Sequence, residues 1–211
     1  MELPSRPHTN PEEPTWMLRL QGVHPYQMML YLAMIGSGLI FTYLMFAYTF
    51  TRVVVAGAWS FHVPKPFIVS TLILVFSSFW LVQIRRAFVE EDYPQVGRKL
   101  GYVLMLGLLF AGLQVWGWWV LIQDEVEYST SRTSAGYLYV MSALHLLHLL
   151  GGLIFLAVVI TNVRRATKDP VVALLTATTP KYHLRLRMLV SYWHYLDIIW
   201  VAMFFFFLFT L

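Results

Sequence analysis

The chain has 211 residues, of which 58% are hydrophobic and only 12% are charged, and its mean hydropathy is +0.62. This composition excludes an ordinary soluble domain. The absence of cysteine excludes a disulfide framework, a thiolate-bound metal and an iron–sulfur centre. The formal net charge of +4 is small and lies between apolar segments, so we expect no nucleic-acid partner.

Residues 1–26 form a polar N-terminal segment that contains five prolines and three glutamates. The segment lacks the basic stretch followed by an apolar stretch that a signal peptide requires. We therefore predict a Pro-rich cytoplasmic tail over residues 1–26, followed by a single membrane domain over residues 27–211.

Five apolar segments long enough to span a bilayer follow the tail. Because backbone groups in lipid have no water to bond, each segment is predicted to be a helix. The sequence thus predicts an all-α integral membrane bundle of five transmembrane helices. The predicted spans cover about residues 27–51, 66–84, 100–122, 137–163 and 188–211.

The basic residues predict the orientation of this bundle. Twelve of the 15 Lys and Arg residues lie in the tail and in the second and fourth connections. The other three lie on the opposite side: Arg52, Lys65 and Arg132. Since cytoplasmic connections carry the excess of Lys and Arg, we predict a cytoplasmic N-terminus and a periplasmic C-terminus.

The fifth segment carries polar residues inside its apolar run. His194 and Asp197 are separated by one helical turn, and Trp193 and Trp200 lie on the same stripe. An aspartate at the centre of a membrane helix raises the free energy of membrane insertion by roughly 2.5–3.5 kcal/mol, whereas each Leu, Ile or Phe lowers it by only about 0.3–0.6 kcal/mol. Asp197 should therefore face protein rather than lipid.

The fourth segment carries a second polar pair, His145 and His148, which share one helix face. The fourth and fifth helices are predicted to run antiparallel, so this face can meet that of His194 and Asp197 at a similar depth. We therefore predict a buried polar cluster of these four residues, with His148 or His194 holding Asp197.

Three interpretations of this cluster are open. Histidines in membranes ligate haem and metals, but paired haem ligands usually lie two helical turns or more apart on a helix, and zinc would need a third ligand. An aspartate with histidines is also compatible with a proton relay. The third interpretation is a structural cluster that sets the register between helices. We predict no catalytic, cofactor-binding or metal-binding residue in this chain.

Four motifs resemble one protein family. The stretch Tyr192-Trp-His-Tyr-Leu-Asp-Ile-Ile-Trp200 resembles the last-helix motif of subunit III of haem-copper terminal oxidases, commonly Tyr-Trp-His-Phe-Val-Asp-Val-Val-Trp. Residues His145–Phe155, Gly107–Trp116 and Thr71–Ser78 are similar to further segments of that family, in family order. The chain resembles the five-helix form of the family.

This resemblance implies a non-catalytic subunit of a cytochrome c or quinol oxidase, which reduces dioxygen to water and pumps protons in aerobic respiration. Haem and copper are then expected in partner subunits I and II. The chain would stabilise subunit I and support proton uptake in a bacterial cytoplasmic (inner) membrane. Bound phospholipids are expected, and a larger respiratory supercomplex is a further partner compatible with the resemblance.

Two departures from the family are visible. The membrane acid that often follows a serine in the first of these helices is Gly38 here, and an expected glutamate before the last motif is Arg187. Alternative interpretations are a related five-helix subunit associated with nitric oxide reductase, or an independent membrane transporter or cytochrome b. A transporter would be expected to show repeats and interrupted helices, which we do not find in the sequence.

Overall fold

The computed structural model describes residues 24–54, 65–90, 92–125 and 132–210. These residues form six α-helices. The helices are α1 (Pro25–Val54), α2 (Lys65–Val89), α3 (Tyr93–Glu125), α4 (Arg132–Lys168), α5 (Pro170–Thr178) and α6 (Pro180–Thr210).

Within this part of the chain, five helices are long and apolar enough to cross a membrane, namely all except α5. The predicted all-α class and the five long apolar helices are confirmed. The helices extend beyond the predicted spans, and the largest extension at a single end is that of α6, which begins at Pro180 rather than near residue 188. The reason is that hydropathy marks only the apolar part of a helix, whereas the basic first turns of α6 continue the same backbone hydrogen bonding.

Most of the predicted N-terminal tail, residues 1–23, lies outside the described residues. Its last two residues, Pro25 and Tyr26, belong to α1 rather than to the tail. Proline is well placed at the start of a helix, because the first turn has no internal acceptor for its missing N–H.

Helix α6 lies at the centre of the bundle and packs against α1, α2 and α4. Helix α3 packs against both α2 and α4, and α1 packs against α4 and α6. Contacts along the two helices show that α4 and α6 run antiparallel, as predicted: His145 packs against Trp200, whereas Gly152 packs against Tyr192.

Two glycines of α3 lie directly against side chains of neighbouring helices. A Cβ atom built on Gly107 of α3 would lie 2.9 Å from Leu153 Cδ2 and 3.1 Å from Trp193 Cη2. One built on Gly117 would lie 2.5 Å from Phe67 Cε2. Because lipid offers helices no hydrophobic drive to associate, such close van der Waals packing holds the bundle together.

Candidate functional site

The polar stripe of α6 faces α2. The Trp193 indole donates to Ser77 Oγ over 3.2 Å, and the neighbouring His194 Nδ1 is hydrogen-bonded to Ser78 Oγ at 2.7 Å. Two turns further along, the Trp200 indole donates to the Thr71 hydroxyl over 3.0 Å. Each tryptophan is buried and has its N–H satisfied by a hydroxyl group of α2.

The two tyrosines that flank this pair reach the other neighbours of α6. The Tyr192 hydroxyl donates to the backbone carbonyl of His148 in α4 over 3.0 Å. The Tyr195 hydroxyl shares a 2.7 Å hydrogen bond with Ser37 of α1. Four consecutive residues of α6 therefore bond to three different helices, and interhelical hydrogen bonds in membranes are worth about 0.6–2 kcal/mol each.

Asp197 lies in the middle of the stripe and is only 6% exposed. Its Oδ2 lies 4.0 Å from His194 Nδ1, at the outer limit of an ion pair, and Ser78 interacts with the same carboxyl group. Neither carboxyl oxygen makes a hydrogen bond of good geometry within the described residues. The carboxyl group thus belongs to a three-residue group that joins α6 to α2.

His145 is fully buried in an aromatic cage. Its ring centroid lies 5.1 Å from that of Trp200, 5.9 Å from Phe110 and 6.5 Å from Phe41. Neither ring nitrogen has a hydrogen-bond partner among the described residues. His148, one turn away, donates from Nδ1 to the Leu144 carbonyl of its own helix at 2.7 Å.

The structure thus brings together only part of the predicted cluster. His194 and Asp197 are neighbours, as the helical spacing indicates, and Trp200 joins their stripe to His145. The prediction that His148 could hold Asp197 is wrong, because no hydrogen bond or ion pair joins these two described residues. The physical reason is that the Asp197 face of α6 is turned toward α2, whereas α4 meets α6 at Tyr192 and Trp200.

Sequence reasoning missed the partners on α2: Thr71, Ser77 and Ser78. The sequence does contain an indication of these partners, because Ser and Thr residues inside an apolar helix commonly hydrogen-bond to neighbouring helices. A second buried pair was also missed, in which Gln114 Nε2 of α3 donates to Ser70 Oγ of α2 over 2.9 Å.

The described residues include no group of three or more His, Asp or Glu side chains that could hold a metal ion. The site offers hydroxyl groups, indoles, imidazoles and one carboxyl group inside an apolar bundle. Its chemistry is that of a hydrogen-bonded polar seam between α6 and its neighbours.

No model of a protein family matches the sequence. Several curated proteins are nevertheless similar to it in sequence. The chain is 31% identical over 140 residues to the cytochrome bo(3) ubiquinol oxidase subunit 3 of Buchnera aphidicola, an alignment that covers 65% of each protein.

Two further relatives bear similar names. The chain is 26% identical over 148 residues to cytochrome c oxidase subunit 3 of Branchiostoma lanceolatum, which covers 69% of this chain and 49% of the relative. It is 24% identical over 145 residues to cytochrome c oxidase subunit 3 of Bacillus sp. strain PS3, which covers 68% of this chain and 64% of the relative. The matched region spans about half to two thirds of the length of these relatives.

These relatives share one name, subunit 3 of an oxidase, whether the oxidase uses a quinol or cytochrome c. Together with the five long apolar helices, they confirm the resemblance that the motifs carry. The chain is a multi-pass membrane protein and belongs to the subunit III family of haem-copper oxidases.

Proposed function

We propose that this chain is the non-catalytic subunit III of a proton-pumping haem-copper terminal oxidase that reduces dioxygen to water. Haem and copper reside in partner subunits I and II, and this chain stabilises subunit I and supports proton uptake. The observation that carries the proposal is the agreement of relatives on one subunit name, across oxidases with different electron donors.

The apolar surface of the bundle supports a role as a packing subunit. Helix α1 exposes large apolar side chains along most of its length, as does α3. The exposed residues include Leu32, Ile35, Leu39, Phe46, Met105, Leu108 and Leu109. Apolar helix surface of this extent packs against lipid or against the helices of another membrane subunit.

Purification of the tagged chain from native membranes tests the proposal. We expect mass spectrometry to identify subunits I and II of a terminal oxidase in stoichiometric amounts, with haem absorbance in the same fraction. Recovery of a nitric oxide reductase subunit instead would identify the related five-helix protein. Recovery of the chain alone from mildly solubilised membranes would contradict both assignments.

The orientation has a separate test. We expect a reporter fused after Leu211 to lie on the periplasmic side of the bacterial inner membrane and one inserted near Thr167 to lie on the cytoplasmic side. The reason is that Lys and Arg concentrate in the connections at one end of the bundle. The opposite labelling of the two positions would contradict the proposed orientation.

We also propose that the polar cluster is structural. In His194→Leu the Asp197 carboxyl would lose its nearest ionisable neighbour in a low-dielectric interior, at a cost of about 1–3 kcal/mol. Replacing both residues with leucine should be milder than the sum of the single changes, because no unpaired carboxyl group then remains. We expect a coupling energy of about 0.5–3 kcal/mol in this cycle.

His148→Leu is the matched control for that cycle. Since His148 has its own backbone acceptor, we expect its effect to add to that of Asp197→Leu. The measurement is retention of the chain in the detergent-purified oxidase, followed by the lifetime of the oxidase in turnover. Intact assembly combined with a lower initial proton-pumping stoichiometry in Asp197→Leu would favour a proton relay over the structural role.

A large open cleft supports the proposal of a bound phospholipid. The cleft, of about 1280 Å³, lies between the start of α1, α4 and the start of α6. Lys181, Arg185 and Arg187 line it together with apolar residues such as Leu30 and Phe155, and none of the described lining residues is acidic. An anionic headgroup would meet the cations, and an acyl chain would lie along the apolar wall.

We therefore expect the double variant Arg185→Gln/Arg187→Gln to retain less anionic phospholipid through purification than the parent chain. The matched control is Arg98→Gln/Lys99→Gln, which removes the same charge from the first turns of α3, outside the residues that line the cleft. Mass spectrometry of extracted lipid per protein measures the difference. Equal retention in both double variants would contradict a lipid site in the cleft.

A further inference from the structure

Helix α5 is a short helix between the fourth and fifth predicted spans, and the sequence analysis did not predict it. Asp169 caps its N-terminus by accepting a 2.9 Å hydrogen bond from the Val171 N–H, and Pro170 occupies the first helical position. At the other end, the Thr179 N–H donates to the Leu175 carbonyl over 3.0 Å. These bonds define a self-contained helix of nine residues in the connection between α4 and α6.

One side of α5 is attached to the bundle. Thr176 is only 2% exposed, and Val172 and Ala173 pack against the core. The Tyr93 hydroxyl at the start of α3 donates to the Ala173 carbonyl over 3.3 Å. Helix α5 is therefore held across the end of the bundle where α4 ends and α3 and α6 begin.

The other side of α5 is apolar and uncovered. Val171 is 66% exposed, Leu174 is 65% exposed and Leu175 is 52% exposed. If α5 lay outside the membrane, water would contact these three side chains. Such exposure is unfavourable in proportion to the apolar area that meets water.

Basic residues flank α5 on both sides. Between residues 164 and 187 the sequence has one acid, Asp169, and that carboxyl group is engaged as the helix cap. The same stretch has six cations, which are Arg164, Arg165, Lys168, Lys181, Arg185 and Arg187. All are exposed or half-buried, so they are available to anionic groups at the depth of α5.

We propose that α5 is an interfacial helix embedded in an anionic leaflet of the membrane. Val171, Leu174 and Leu175 point to the acyl chains, and the flanking cations contact lipid phosphates. An apolar face combined with flanking Lys and Arg is the pattern of helices that lie in the plane of the interface. Anionic headgroups attract nearby Lys and Arg side chains and so favour this position of the helix.

A lipid surface fits this face better than a protein partner does. A stable protein interface needs roughly 800 Å² on each partner, far more than three aliphatic side chains expose. A helix in the interface needs only to bury its apolar side by about 5–10 Å. The inference is independent of the proposed oxidase membership, since it depends only on α5 and its neighbours in this chain.

The absence of native cysteine allows a direct test. We would attach a nitroxide to Leu174→Cys in the full chain, reconstituted in nanodiscs that contain phosphatidylglycerol, and measure its collisions with oxygen and with a water-soluble nickel chelate. Two exposed positions provide references: Ile154→Cys, within the α4 span, and Lys168→Cys, at the basic end of α4. Val171→Cys repeats the test at a second position.

We expect the labels at 174 and 171 to favour oxygen over the nickel chelate severalfold, with a depth between those of the two references. Nickel accessibility equal to that of the 168 label would overturn the proposal. Low accessibility to both reagents would also overturn it, since a protein would then cover the face. In nanodiscs of phosphatidylcholine alone we expect a shallower position, and an unchanged depth would refute the contribution of the cations.

Discussion

Gly117→Val is expected to destabilise the bundle strongly. A Cβ atom at this position would lie 2.5 Å from Phe67 Cε2 and 3.0 Å from Phe67 Cδ2. The ring is buried and is stacked on Trp200 at a centroid distance of 6.1 Å, so displacing it would disturb that contact. Forcing extra atoms into such a packed site typically costs about 1–3 kcal/mol, and valine adds two methyl groups beyond the Cβ.

The matched control is Gly112→Val in the same helix. A Cβ atom on Gly112 would meet no other heavy atom within 4 Å, and this glycine is exposed. Both changes replace a helical glycine by the same β-branched residue, so intrinsic helix propensity cancels in the comparison. Unfolding of the purified chain in increasing dodecyl sulfate measures both, and equal midpoints would contradict the packing seen at Phe67.

Trp193→Ala is expected to have an effect at least as large. Trp193 is fully buried at the junction of α2, α3 and α6, where it contacts Gly107 and donates to Ser77. Removal of a buried tryptophan side chain typically costs about 3–5 kcal/mol through lost contacts and the cavity left behind. Trp193→Phe keeps most of the ring and removes the hydrogen bond, so we expect a smaller loss.

Trp116→Ala is the matched control, since the Trp116 side chain is 54% exposed and lies on the outer face of α3. We expect it to leave the unfolding midpoint of the purified chain almost unchanged. The dodecyl sulfate titration compares the three tryptophan variants directly. A Trp193→Ala midpoint close to that of Trp116→Ala would show that the centre of the bundle does not depend on this residue.

The hydrogen bonds made by the motif of α6 support the proposed structural role of this segment. Tyr192, Trp193, His194 and Tyr195 each bond to a neighbouring helix, so their spacing is set by the positions of α1, α2 and α4. These bonds hold together a bundle whose outer surface is largely apolar. This is the property that the proposed role beside subunit I requires.

Helix α5 shows where prediction from the sequence stopped short. Its local signals, Asp169 as a cap followed by Pro170, are typical of a helix start. Nine residues are too few to span a bilayer, so an assignment based on spanning length passed over them. The start of α6 was predicted near residue 188 instead of at Pro180 for another reason, because hydropathy marks only the apolar part of a helix.

The sequence by itself determined the class of protein, the five membrane-spanning helices and the residues that share a helix face. It could do so because backbone hydrogen bonds in lipid must close within each helix, and because the helical repeat is a local property. Only the tertiary structure decided that Ser78 of α2, rather than His148 of α4, lies beside Asp197. The periodicity of one helix identifies its polar face, but the neighbour of that face depends on how all the helices pack, with close approaches at glycines such as Gly107 and Gly117.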